Sequence, residues 1–522
     1  ALSTFFCTLF LIIVVFSQSA VMRYLRKPSF INLKHSLTKP MKRHFYFFSV
    51  LILLTNLCFS QVKHDNQCNC SDNLKKLISK TEENYAGYPS KVNDNTRAKY
   101  NKLKFQLEVK SKNENNPKSC FYLLKEYVRF FEDKHFILTY NNENDFDNEI
   151  INLSENDFKK SSTKRNLDAM EGIWINADST LKLAIQKFPN NIYKSIVVET
   201  QNTKIPLGLV YATLYKKKNR IFVKEYNYFI TTDIPAKVKG NLLQLGFFSM
   251  YGRVFPNALS SAEKEELNTY SGNNNGLNFK KLSSKTAYLK IPTFQNNDDK
   301  IQQLVVQSDS IIRSCENLIV DLTGNVGGNT GWVSFLTYFI TNPIVQYDTY
   351  LRVTPENVKY KLADLEPFVV NPIPEEYKKY FSDEKVSAYK KAYQELPNTK
   401  KEFYPIPGIT FPLDSILKNP KKIALVVDDF CGSSAEYFFF ITKQSKKTTT
   451  YGINTIGMMD YEGMSNLTSM PYSGYYLTIP IVKSSWTDEN PIDKTGFKPD
   501  VILNKLEQNK WIDFIKKDLE SE

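Results

Sequence analysis

The stretch KIALVVDDFCGSSAEYFFFIT, residues 422–442, reads as a buried strand that breaks into a tight turn and enters an apolar helix. The run IALVV (423–427) carries no polar side chain, as a strand in a sheet covered on both faces requires. Gly432 gives the turn its backbone freedom, and Ser433 and Ser434 stand where the helix begins. Two roles are open to Ser433. With Glu436 it forms the Ser-x-x-Glu pattern of a capping box, in which each side chain satisfies an orphan N–H. The same position aims a hydroxyl at the positive end of the helix, beside the N–H of Ser434, and there it can serve as a nucleophile if a base takes its proton. Cys431 is a rival nucleophile, but it precedes the glycine and stays on the strand side.

Working outward, ENLIVDL (316–322) is a second continuous apolar strand, followed by TGNVGGNTG (323–331) and an expected helix WVSFLTYFI (332–340). The glycine loop has neither G-K-[ST] nor G-x-G-x-x-G, so it does not cradle a nucleotide. It is either a βα turn that needs positive φ or a nest of N–H groups for an anion such as an oxyanion. TAYLKIPTF (286–294) is a third strand, and DDKIQQLVVQSDSIIRSC (298–315) a helix with one apolar face. Strand alternating with helix points to a largely parallel sheet. Residues 344–420, rich in Pro, Tyr and Lys, read as an insertion, helical over 375–396. The core resumes with the stretch around 422–442, then TTTYGINTIG (448–457), GYYLTIPIV (474–482) and KTGFKPDVIL (494–503).

Toward the amino terminus, residues 61–140 form a helical region, in which Phe121, Leu124, Tyr127, Val128 and Phe131 share one face. A polar connector spans 141–171, and 172–240 is a small antiparallel β module of short aromatic and β-branched runs. The expected class is α+β/α/β multidomain, with an α/β catalytic core over 241–522 that holds the insertion.

Of the net charge of +13, seven cations and no acid lie in residues 1–60, which leaves +6 (13 − 7) for the rest. No dense basic stripe remains, which argues against nucleic acid as a partner. MKRHFYFFSVLILLTNLCFSQ (41–61) has the basic, apolar and small-residue parts of a signal peptide cleaved after Ser60. Its apolar core is too short to span a bilayer, so the mature chain is expected to have no stable membrane span. Translation is expected to start at Met41, with residues 1–40 upstream of it. Export, to periplasm or exterior, suits Cys120 bridged to Cys68 or Cys70, with Cys315 and Cys431 unpaired. The Cys-x-Cys at 68–70 lacks a nearby His pair, so no metal and no cofactor are expected.

The succession strand–DLTGNVGG–helix, strand–CGSSAE–helix and TYGINTIG resembles the C-terminal processing, or tail-specific, proteases, a serine peptidase family that includes the tricorn core and the interphotoreceptor retinoid-binding protein. The resemblance covers roughly 70–140 and 280–503 and implies a catalytic core of ClpP/crotonase-like type acting on a peptide or protein substrate. It puts Ser433 at the nucleophile and the N–H groups of Ser434 and Gly327 at the oxyanion hole. Relatives often carry proline at the position of Val326, which favours Gly327 as the donor. The β module stands where relatives carry a PDZ domain, but it shows no carboxylate-binding loop. Nothing in the sequence fixes the oligomeric state.

The tail-specific branch uses a lysine after T-x-G. Here, in TIGMMDYEG (455–463), Met458 takes that place and no lysine lies between Lys447 and Lys483. The tricorn-like branch uses a histidine in an Asp-x-His context. Of His35, His44, His64 and His135, only His135 lies within folded sequence, in Asp133–Lys134–His135. It is the expected general base, the alternative being a surface histidine at a helix end. The resemblance puts a carboxylate at Asp493, with Glu489 and Asp133 as substitutes, to orient the ring or support the site. The reading is a secreted serine peptidase; the competing one is a non-catalytic peptide- or lipid-binding protein on the same fold.

Overall fold

The computed structural model describes residues 67–521 apart from 142–146, 148, 218–219, 248, 371, 374–377, 379–380, 414 and 464–466. The leader expected at 41–60 lies outside the described residues.

The apolar run at 422–427 becomes a central strand of a six-stranded sheet. Its order is Asn278–Lys281, Thr286–Lys290, Asn317–Asp321, Lys422–Val427, Thr448–Gly452 and Val501–Ile502. All neighbours but the first pair run parallel. Asn317–Asp321 and Lys422–Val427 are in register from Asn317↔Lys422 to Asp321↔Val426, so their two turns leave the sheet side by side at its carboxyl edge. One face is covered by Ile301, Val305, Ile312, Phe335, Phe438 and Phe439 from helices Asp298–Ser314, Val333–Leu336 and Ser434–Thr442. Trp511, Ile515 and Leu519 of helix Trp511–Ser521 cover the other, on Ile319, Ala424 and Val426. Each such fully buried side chain contributes roughly 1.5–3 kcal/mol of transfer free energy.

The expected helix over 332–340 is only Val333–Leu336. Trp332, Phe335, Tyr338 and Phe339 are all buried, and Tyr338 and Phe339 close i→i+3 bonds to Phe335 and Leu336. A run that must bury aromatic rings on every side follows the core rather than one helical stripe.

The β module is a closed antiparallel barrel of eight strands that begins at Gly172 and runs past 240 to Phe255. Strand Ser249–Phe255 pairs with both Gly172–Asn176 and Leu242–Leu245, which removes the free edges. Trp174, Leu183, Leu214, Leu243 and Tyr251 fill its interior. The polar connector contains helix Glu155–Ser162, capped by the Ser154 side chain.

Residues 344–420 are less separable than an insertion. Thr349–Arg352 and Phe403–Ile406 share a sheet with Val482–Ser484 and Tyr461–Glu462. Leu351, Leu365, Phe368 and Tyr389 join the principal core, and helix Asp383–Glu395 is joined by Pro355–Val369, which sequence periodicity did not single out.

Helices Cys70–Asn84, Arg97–Ser111 and Pro117–Arg129 form the amino-terminal region, with a Cys70–Cys120 disulfide as expected; Cys68, Cys315 and Cys431 are free and buried. The next strand, Ile137–Tyr140, pairs antiparallel with Tyr475–Thr478. His135 is thereby drawn onto the far half of the chain. Among the described residues no helix is long and apolar enough to cross a membrane.

Candidate active site

Beyond Val427 the chain meets Asp428, whose buried carboxylate accepts N–H bonds from Gly324 (3.0 Å) and Phe430 (3.1 Å) and so ties the two turns together. The Gly432 N–H donates to the Asn325 carbonyl (3.1 Å). Ser433 then adopts φ 51°, ψ −122°, a region that residues with a β-carbon avoid and that costs roughly 1–3 kcal/mol. A capping serine needs extended backbone, and in this conformation Ser433 makes no cap bond. The capping box is therefore not formed. Glu436, fully buried, turns instead to the loop 455–458, where its carboxylate accepts from Thr455 Oγ1 (2.5 Å) and from the N–H groups of Gly457 (2.7 Å) and Met458 (2.7 Å). Burial pushes its pKa up to about 7, against the pull of these donors.

The Ser433 hydroxyl faces His135, with Nε2 3.1 Å from Oγ across 298 positions of sequence. On the other side of the ring Nδ1 lies 2.8 Å from the carbonyl oxygen of Tyr461. A carbonyl only accepts, so Nδ1 carries the proton and the lone pair of Nε2 is directed at the hydroxyl. His135 is 3 % exposed, and burial lowers its pKa, with the Tyr461 carbonyl and the Asp493 charge opposing that fall. The ring is thus held neutral at ordinary pH. Its backbone is fixed too: the His135 N–H donates to Asp133 Oδ1 (2.8 Å), and Asp133 Oδ2 accepts from Tyr85 Oη (2.7 Å).

Asp493 does not touch the imidazole. Its Oδ2 pairs with Lys91 Nζ at 3.0 Å, its N–H donates to Asp460 Oδ2 (2.8 Å), and its buried Oδ1 has no hydrogen-bond partner. Glu489 is exposed, and Asp133 acts on the main chain of His135. The group that orients the ring is therefore a backbone carbonyl rather than the expected carboxylate, and Asp493 reaches the ring through its field. Burial first, and the neighbouring Asp493 second, raise the pKa of Asp133.

Gly327, at φ 98°, lies against the serine turn. A β-carbon there would stand 2.7 Å from the Gly432 carbonyl oxygen and the Ser434 nitrogen, so only glycine fits. Of the two N–H groups expected to face an oxyanion, that of Ser434 opens the helix and has no acceptor among the described residues. That of Gly327 donates to Asn325 Oδ1 at 2.8 Å. Asn325 is fully buried, and its Nδ2 donates to the Ile291 carbonyl (2.9 Å). Met458, where the tail-specific branch has lysine, lies against Gly432, while Lys134 Nζ donates to the carbonyls of Gly457 and Asp493, each at 2.7 Å.

Tyr85, Asn325, Glu436 as a loop holder and the Tyr461 carbonyl escaped the sequence reading. Glu436 alone had a signal, its place three residues after Ser433.

Residues 285–503 match the model of peptidase family S41. That S41 segment opens at the strand Thr286–Lys290 and contains Ser433, Gly327 and Asp493, whereas His135, Asp133 and Tyr85 come from the chain before it. Among solved structures the chain is similar to mature CPAF, at 13 % identity over 86 % of this chain and 96 % of that one, with a TM-score of 0.48. The photosystem II D1 C-terminal processing protease gives 10 % identity over 84 % and 93 %, with a TM-score of 0.35. The tricorn protease gives 12 % over 86 % and 36 %, with a TM-score of 0.34. No curated protein matches the chain.

Proposed function

We propose that this protein is a serine peptidase in which Ser433 Oγ attacks a peptide carbonyl and His135 Nε2 takes its proton. The observation that carries the reading is the 3.1 Å Nε2–Oγ pair, with Nδ1 committed to the Tyr461 carbonyl. As Oγ attacks, the proton passes to Nε2 and an acyl-enzyme forms through a tetrahedral intermediate. The imidazolium then returns the proton to the leaving amine, and a water activated by the same nitrogen releases the acyl group. The Ser434 N–H, at the positive end of its helix, takes the developing oxyanion, and the Gly327 N–H joins it on leaving Asn325 Oδ1. The charge of Asp493 stabilises the imidazolium through space. The site of action is outside the cytoplasm, supported by the Cys70–Cys120 disulfide and the leader pattern at 41–60.

The test is turnover of a mixed internally quenched peptide library by the purified protein and by Ser433→Ala. The expected result is cleavage that the substitution abolishes while the fold, followed by circular dichroism, is kept. Equal turnover by both proteins would contradict the proposal.

A further inference from the structure

Beside the serine turn the barrel and the S41 domain enclose a cleft of about 580 Å³. Phe430 and Ile456 are part of its lining, and a β-carbon at position 432 would stand 2.6 Å from both Ile456 and Met458. The lining of the cleft thus includes a side chain packed against Gly432, the residue before Ser433. Its floor is apolar and already covered: Met170, Ala236 and Phe430 are buried. What it offers a ligand is cationic. Lys187, Lys216, Arg220 and Lys237 line it, against Asp168 and Asp429.

The two acids are engaged. Asp429 binds Lys237 through Oδ1 and lies 3.4 Å from Arg220 through Oδ2. Asp168 accepts from Tyr193 Oη (2.5 Å) and from the Met170 N–H (3.0 Å), and lies 3.5 Å from Lys187. Lys237 is neutralised twice, by Asp428 and Asp429. Lys216 is exposed and, among the described residues, has no carboxylate within ion-pair distance; its ammonium stands 6.0 Å from the Tyr193 ring. A cleft with its anions engaged and a cation open to solvent attracts negative charge.

We infer that this cleft is a specificity subsite which receives an acidic side chain of the peptide substrate, with Lys216 as its counter-ion. The inference rests on the peptidase reading for the substrate class, while its binding chemistry can be measured without turnover.

The experiment uses internally quenched, C-terminally amidated peptides that differ by Glu or Gln at one position, scanned along the peptide. Cleavage by the intact protein is read as kcat/KM, and binding to the Ser433→Ala protein by fluorescence anisotropy. At one position Glu is expected to exceed Gln by at least about threefold in both readouts, as a lightly screened charge pair gives, and the preference is expected to shrink with added salt. Lys216→Gln is expected to erase it and Lys216→Glu to reverse it toward a lysine-bearing peptide. Equal handling of Glu and Gln, a preference untouched by Lys216→Glu, or one that appears only with a free C-terminal carboxylate would overturn the inference. Hydrolysis without discrimination defeats the cleft and leaves the peptidase reading intact. Lys216-dependent binding without hydrolysis does the reverse.

Discussion

His135 and Ser433 meet because each is held by atoms other than Nε2 and Oγ, which face each other. The imidazole is fixed by a backbone carbonyl, so its tautomer survives removal of the nearby carboxylate. Asp493→Asn is therefore expected to lower kcat/KM near neutral pH by less than about tenfold, far from the roughly 10⁴-fold loss when a carboxylate that holds the tautomer is altered. The sign of its pH effect is fixed. Asp493 raises the His135 pKa, burial lowers it, and only the neutral ring accepts a proton. In the wild type the acid limb of kcat/KM is expected below the ordinary histidine value of about 6.5. In Asp493→Asn it is expected to move to still lower pH. A limb that moves upward, measured over pH 4–8, would contradict this electrostatic assignment. The pair was legible in sequence because Ser433 follows a buried strand and His135 is the one histidine in folded sequence. Tyr461 was not, because a main-chain carbonyl leaves no mark on residue identity.

At the scale of elements, the loop 455–458 is set by Glu436, and its continuation carries the Tyr461 carbonyl. Glu436→Ala would leave Thr455 Oγ1, the buried N–H of Gly457 and the partly buried N–H of Met458 without their acceptor, at roughly 1–3 kcal/mol each. Chemical denaturation is expected to show a loss of at least about 3 kcal/mol, with Glu436→Gln milder because it keeps one acceptor oxygen; an unchanged midpoint in Glu436→Ala would disprove the assignment. Strand, turn and helix at 422–442 were plain from an apolar run ending at a glycine. Barrel closure was not, since alternation along 172–255 announces strands but not that Ser249–Phe255 returns to Gly172–Asn176. Helix 332–340 was overread because aromatic residues buried on all sides mimic a helical run.

Over the whole molecule, His135 and Ser433 come from distant parts of the chain that must be clamped together for the proposed mechanism. Arg352 donates to the carbonyls of Tyr85 and Glu82, and Asn357 Nδ2 to that of Asn84 (2.9 Å), so the segment 344–420 braces the end of helix Cys70–Asn84 and Tyr85, whose hydroxyl holds Asp133 beside His135. Arg352→Ala is expected to lower both Tm and kcat while leaving the central sheet intact by hydrogen exchange. The Cys70–Cys120 bridge closes a loop of 50 residues, worth about 4 kcal/mol by chain entropy. Cys120→Ala should show local unfolding of residues 70–135 in exchange experiments, and activity should fall with it. Full activity with that region exchanging freely would show that the amino-terminal helices are dispensable. The sequence marked 344–420 as an interruption but carried no sign of this brace, because the contacts are side chain to main chain across some 270 positions.

The most direct measurement is the rate at which a fluorophosphonate labels Ser433, followed by mass spectrometry against pH in the wild type and in His135→Ala. The expected result is labelling of Ser433 alone, rising through one ionisation below about pH 6.5, and slowed by about a thousandfold or more in His135→Ala with no remaining pH dependence. Labelling of His135→Ala at the wild-type rate, or of a residue other than Ser433, would contradict it.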